Sequence, residues 1–143
     1  MNAFRIDPEA TYFIDTNIWL YAFIQDQDAE KNKMARTIIR ECEIVISTQI
    51  INEMCVNLIK KMGFSEIEIQ KLIVSLHRKY SVFELSQDIL LKASQIRDVH
   101  SFSFWDSIIA ASALDCDANC LISEDMQSGF LLEDRLKIVN PFA

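Results

Sequence analysis

An α/β fold, with three α/β/α layers around a short parallel sheet of about four to five strands, follows from three features of the sequence. Short β-prone apolar runs recur along the chain, each followed by a stretch of helical spacing. Only 2 Gly and 2 Pro occur in 143 residues, too few for the turns of a sandwich or barrel. Hydrophobic residues make up 50% and charged residues 24%, which excludes a disordered chain. The length suits one domain over 1–143, with no repeat, linker or low-complexity tract to divide it.

Each element has its own signal. Tyr12-Phe13-Ile14 reads as a buried strand, and Asp15-Thr16-Asn17 as the turn after it. Ile18 to Phe23 is then helical, with Asn17 as its N-cap. A polar loop, Gln25 to Glu30, leads into a helix over Ala29 to Glu41. That helix sets Met34, Ala35, Ile38 and Ile39 apart from a basic face of Lys33, Arg36 and Arg40. Ile44-Val45-Ile46 is a second strand. Ser47 and Thr48 are cap candidates for a helix carrying Ile51, Met54, Cys55, Leu58 and Ile59, which Gly63 ends. Ser65 starts another, with Ile69, Leu72, Ile73 and Leu76 in phase. Val82 to Leu85 is a third strand. Ser86 caps Ile89 to Val99, and Ser103 caps Trp105 to Leu114, whose Ala110, Ala111 and Ala113 permit close packing. Cys120-Leu121-Ile122 and Leu136 to Val139 complete the sheet.

The longest apolar run, Ile18 to Ile24, is far short of the ~18 residues of a membrane span. Met1 to Ala10 has no apolar stretch of a signal peptide. The 4 cysteines form no C-x-x-C pair and read as core thiols. A cytoplasmic protein that does not enter membranes is the expectation. The net charge of −7 argues against a simple electrostatic clamp on nucleic acid. It fits acids gathered to hold cations.

The fold reading singles out four such acids. Asp15 follows the first strand and Asp125 the fourth. Glu53 lies one or two turns into the helix after the second strand, and Asp106 in the first turn of the small-residue helix. All four fall at the carboxyl edge of a parallel sheet, where such folds bind ligands. Each has an ordinary alternative: a turn residue (Asp15), a capping box with Ser103 (Asp106), a solvated flank (Glu53), a loop acid (Asp125). Together they suggest one pocket. Close carboxylates repel unless a cation intervenes, and an oxygen-rich set without histidine suits Mg²⁺ or Mn²⁺. Thr16, Asn17 and Ser123 supply neutral polar groups beside it. Such ions activate water in phosphodiester cleavage.

Five segments carry a resemblance. Phe13-Ile14-Asp15-Thr16-Asn17-Ile18 resembles the opening motif of PIN domains, and Ser47-Thr48-Gln49-Ile50-Ile51-Asn52-Glu53 their second acidic motif. Phe104-Trp105-Asp106-Ser107-Ile108-Ile109-Ala110-Ala111-Ser112-Ala113 resembles the third. Leu121-Ile122-Ser123-Glu124-Asp125-Met126-Gln127-Ser128-Gly129 resembles the fourth, and Ile138-Val139-Asn140-Pro141-Phe142 a common ending. Proteins of this length with these motifs are similar to the VapC toxins of bacterial toxin–antitoxin pairs. The resemblance implies Mg²⁺- or Mn²⁺-dependent endoribonuclease activity, with Asp15, Glu53, Asp106 and Asp125 as catalytic and metal-site acids. Thr16, Asn17 and Ser123 are implied as supporting groups, and a homodimer and a small antitoxin as partners. Many relatives carry Thr at the position of Ser123 and a basic residue at that of Glu124.

Lys33, Arg36 and Arg40 read either as an RNA-tracking face or as a solvated one. Trp19, Tyr21, Phe23 and Trp105 read as packing residues, with base stacking a further role for Trp105. His77 reads as a surface residue; His100 lies nearer the third motif. Two rival functions remain. Phosphoryl transfer through an aspartyl-phosphate wants a second Asp where Asn17 stands. A catalytically silent PIN-like module would bind RNA or protein without cutting.

Overall fold

The computed structural model describes residues 4–25 and 28–143. Part of the Gln25–Glu30 loop and the start of the Met1–Ala10 segment therefore lie outside the described residues. Six strands, β1 (Thr11–Ile14), β2 (Glu43–Ser47), β3 (Ser81–Phe83), β4 (Cys120–Ile122), β5 (Leu131–Leu132) and β6 (Leu136–Val139), form one sheet. Its order is β3-β2-β1-β4-β6-β5, parallel throughout except for β5 against β6. Six helices, α1 (Thr16–Phe23), α2 (Ala29–Glu41), α3 (Thr48–Met62), α4 (Glu66–Lys79), α5 (Gln87–Val99) and α6 (Phe104–Asp115), fill the connections.

The helices meet in two groups. α1 packs on α2 and α3, and α3 on α4; α5 packs on α6. The chain runs outward from β1 through β2 to β3, then crosses back to β4 on the other side of β1. Right-handed crossovers therefore put the two helix groups on opposite faces of the sheet. One core links them, with Phe13, Ile14, Leu121 and Ile122 of the central strands fully buried. α6 is buried from Ser107 to Leu114, and its alanines let it lie close against the sheet. No helix among the described residues is long and apolar enough to cross a membrane.

Helix boundaries follow the local chemistry. Ser47, Ser65, Ser86 and Ser103 each accept a hydrogen bond from a backbone N–H of the first turn, and Ser65 completes a capping box with Glu68. Gly63 closes α3 in the left-handed region at φ 64, with its N–H bonded to Ile59 O at 3.1 Å. A Cβ there would meet nothing within 4 Å, so the cost of a side chain is conformational alone. Gly63→Ala is expected to lower stability by about 1 kcal/mol in urea unfolding. An unchanged midpoint would mean that α3 ends another way.

Three expectations need correction. The sheet has six strands rather than four to five. The additional strand, β5, has two residues and turns back into β6 through Glu133 and Asp134, both at positive φ. The sequence offers no Asn-Gly or Gly there to announce a hairpin. The third strand is Ser81–Phe83, one residue earlier than Val82 and two short of Leu85. The N-cap of α1 is Asp15, whose carboxylate accepts from Thr16 N; Asn17 is already inside the helix.

Candidate active site

The strand order reverses at β1, so the crevice between the ends of β1 and β4 is the ligand position expected of this topology. Ile14 and Ile122 are register partners there, and the next residues are Asp15 and Ser123. Asp15 is therefore committed twice. As last residue of the turn into α1 it caps the helix, Oδ1 accepting from Thr16 N at 2.8 Å. Its Oδ2 accepts from Ser123 Oγ at 2.8 Å. Ser123 is fully buried, and its Oγ also accepts from Asp125 N and Met126 N, each at 3.3 Å. One hydroxyl thus joins the end of β1 to the loop after β4.

The other acids reach this point from separate elements. Thr16 Oγ1 donates to Glu53 Oε2 at 2.6 Å, drawing α3 to the start of α1. Asn17 Nδ2 donates to Asp125 Oδ2. Asp106 stands in the first turn of α6, where its N–H donates to Ser103 Oγ at 3.1 Å. Burial pushes the Asp15 carboxyl up to about 6; the bonds from Ser123 and Thr16 hold it down in part, while the charges of Asp106 and Glu53 push it further up.

The four acids and three supporting residues accordingly lie just after β1 or β4 or in the first two turns of α1, α3 and α6. Neutral donors hold three of the acids: Thr16 N and Ser123 bond Asp15, Thr16 Oγ1 bonds Glu53, and Asn17 bonds Asp125. Among the described residues, no three or more Asp, Glu, His or Cys side chains are gathered as a metal-holding group. The donor set nevertheless fits a hard divalent cation: its acids offer carboxylate oxygens, and the one that is buried, Asp15, is pushed up by its burial and by the charges of Asp106 and Glu53.

Gln49 was not singled out in the sequence. Its Nε2 donates to Glu53 Oε1 at 3.2 Å, and its Oε1 is buried with no hydrogen-bond partner. An unpartnered buried acceptor beside a carboxylate is a position where a cation or its water would be favoured. The signal was its i, i+4 spacing from Glu53 on one helix face.

Glu124 turns away from the other acids. It accepts from Tyr21 OH at 2.6 Å and pairs with Lys31, whose ammonium also lies 5.2 Å from the Tyr21 ring and 5.3 Å from that of Phe142. Burial raises the Glu124 carboxyl, and the bonds from Lys31 and Tyr21 outweigh it to leave it below its ordinary value. Its acidity is neutralised in place and is not presented to a phosphate. His100 packs on Phe130 and Phe102, with centroids 5.2 and 6.0 Å away. Lys33, Arg36 and Arg40 are exposed on α2. Arg40 adjoins Glu43 and Lys79 where β2 begins, at the sheet edge opposite the acids.

The packing expected of the aromatics holds for Trp19, which is buried with Nε1 donating to Ile14 O at 3.1 Å. It fails for Trp105, 63% exposed. Burial pushes the Cys42 thiol up to about 12, and those of Cys116 and Cys120 to about 11, as suits inert, protonated thiols.

The comparison with curated proteins found no match. Solved structures of similar fold include a toxin–antitoxin complex from Klebsiella pneumoniae, at TM-score 0.68 and 20% identity over 91% of this chain and 97% of the other. VapC20 of Mycobacterium tuberculosis, a sarcin–ricin loop cleaving toxin, aligns at TM-score 0.62 and 16% identity over 77% and 86%. VapBC2 of Rickettsia felis, bound to a DNA fragment from its promoter, aligns at 0.60 and 18% over 91% and 99%. The PIN domain matches the sequence over residues 12–128, and the chain belongs to that family.

Proposed function

We propose that this protein is a Mg²⁺- or Mn²⁺-dependent endoribonuclease and the toxin of a type II toxin–antitoxin pair. The observation that carries the reading is Asp15. A carboxylate at the switch point of the sheet, raised by its burial and further by the charges of Asp106 and Glu53, is a site that a cation would favour. Membership of the PIN domain family, and the likeness in fold to toxins that include an RNA-cleaving one, support the choice of substrate. The likeness to toxin–antitoxin complexes supports a small antitoxin as partner; the homodimer is carried over from the resemblance of the sequence motifs alone.

In this reading Asp15, Glu53, Asp106 and Asp125 hold the metal, directly or through water. A bound Mg²⁺ or Mn²⁺ would polarise the phosphate and lower the pKa of the attacking water. Ser123 fixes the Asp15 carboxylate, Thr16 and Gln49 orient Glu53, and Asn17 orients Asp125. The basic face of Lys33, Arg36 and Arg40 serves phosphates remote from the cleaved bond.

A second reading, a silent PIN-like binding module, draws on the pairwise rather than clustered placement of the acids. Cleavage of a mixed RNA pool by wild type and Asp106→Asn, each with Mg²⁺, Mn²⁺ or EDTA, separates the two. Cutting that requires the metal and vanishes in the variant is the expected result. A folded wild type that binds metal and RNA but never cuts would favour the silent module.

A further inference from the structure

We propose that Phe104 and Trp105 form an aromatic shelf on which a base of single-stranded RNA stacks beside the cleaved phosphate. The inference rests on the endoribonuclease reading for the identity of the phosphate. Its own basis is the geometry at the start of α6.

The two rings are 54% and 63% exposed, although burying either would normally stabilise a fold by ~1.5–3 kcal/mol. They meet edge to face, with centroids 5.4 Å apart and planes at 78°. Phe104 is braced: the Arg97 guanidinium carbon lies 4.3 Å from its ring centroid. Arg97 Nη1 donates to Ser107 Oγ at 2.7 Å, and that hydroxyl donates to Phe104 O at 2.6 Å. Trp105 is thereby backed by a ring that is itself held.

The position argues for a nucleic-acid base as the occupant. The shelf is the residue pair immediately before Asp106 in the first turn of α6, where side chains lean toward the helix N-terminus and so toward the end that carries Asp106. A nucleotide whose phosphate lies at the acids carries a base alongside. Arg97 adds positive charge behind the shelf, which complements a phosphodiester chain and the π-face of a base. Only an unpaired base offers that face, so the shelf selects single strands, loops or bulges over duplex. Because every base has a π-face, it positions the chain without reading its sequence.

The chain has 2 Trp, and Trp19 is buried, so external quenching reports Trp105. The test is titration of the wild type in EDTA with a short mixed-sequence single-stranded oligoribonucleotide, and with the same sequence as duplex. Tryptophan fluorescence is read alongside sedimentation. The single strand should quench and the duplex should not. By an independent binding assay, Trp105→Ala should weaken affinity by about 5- to 150-fold. Trp105→Phe should retain most of it, and both variants should melt as the wild type does. With metal added, the loss should appear in KM more than in kcat. Equal affinity in Trp105→Ala would overturn the shelf, as would quenching that follows protein concentration and self-association instead of RNA. Quenching by a single strand that is never cut would keep the shelf and remove the nuclease reading. Cutting without quenching would do the reverse.

Discussion

Asp15→Asn is expected to abolish RNA cleavage and yet to stabilise the metal-free protein at neutral pH. The folded Asp15 titrates at about 6 against an ordinary 3.8. Below 3.8 the carboxyl is protonated in both folded and unfolded chains. Between 3.8 and 6 the folded chain holds a proton that the unfolded chain has lost, so stability falls as pH rises. By pH 7.5 the loss reaches about 3 kcal/mol. An amide does not ionise and escapes this loss, but it places an N–H against a donor at Ser123 or Thr16, at a cost of about 1 kcal/mol. The two effects have different pH dependence. At pH 4.5 the variant should be no more stable than wild type; at pH 7.5 it should be more stable by about 1–2 kcal/mol. Urea unfolding at both pH values, in EDTA, measures this. Mg²⁺ should then stabilise wild type and leave the variant unchanged. Activity should drop about a thousandfold or more, several kcal/mol of transition-state stabilisation. A variant whose stability relative to wild type is the same at both pH values would show that Asp15 is not a strained, buried anion.

Ser123→Ala carries the second large expectation. Its hydroxyl is fully buried and serves three partners: Asp15 Oδ2, Asp125 N and Met126 N. Removing it leaves a buried carboxylate oxygen and two N–H groups short of a partner, at about 2–4 kcal/mol. The same bond holds the Asp15 carboxyl down, so its loss drives Asp15 further toward the neutral form. Cleavage should fall about 10- to 100-fold at pH 6 and recover in part at pH 8, as Asp15 ionises. Denaturation midpoints and cleavage rates at the two pH values check both parts. A variant within about 0.5 kcal/mol of wild type would show that water takes over the role of the hydroxyl.

Most of the fold was legible because short buried strands and amphipathic helices differ in hydrophobic period. Serine caps and Gly63 marked the helix ends through local hydrogen bonding alone. β5 was not legible, since its two residues have no periodicity and its turn uses Glu133 and Asp134. The cap of α1 was misplaced by two residues because Asp15, Thr16 and Asn17 are all competent caps. Their ranking depends on how β1 exits the sheet. The exposure of Trp105 was equally hidden, since an aromatic residue in an apolar helix looks the same whether it faces the core or the solvent.

The sequence by itself determined the family, the alternation of strands and helices, and the four acids at the ends of elements on one edge. These follow from local pattern and spacing. Tertiary structure alone decided how the acids are held. Ser123 reaches Asp15, and Asn17 reaches Asp125, across 108 positions of chain; Thr16 reaches Glu53 across 37. It also decided that Glu124 is neutralised by Lys31 and that Asp15 is an elevated acid. The physical reason is that burial and charge–charge energy depend on distance in space, and only the closing of the sheet between β1 and β4 sets those distances.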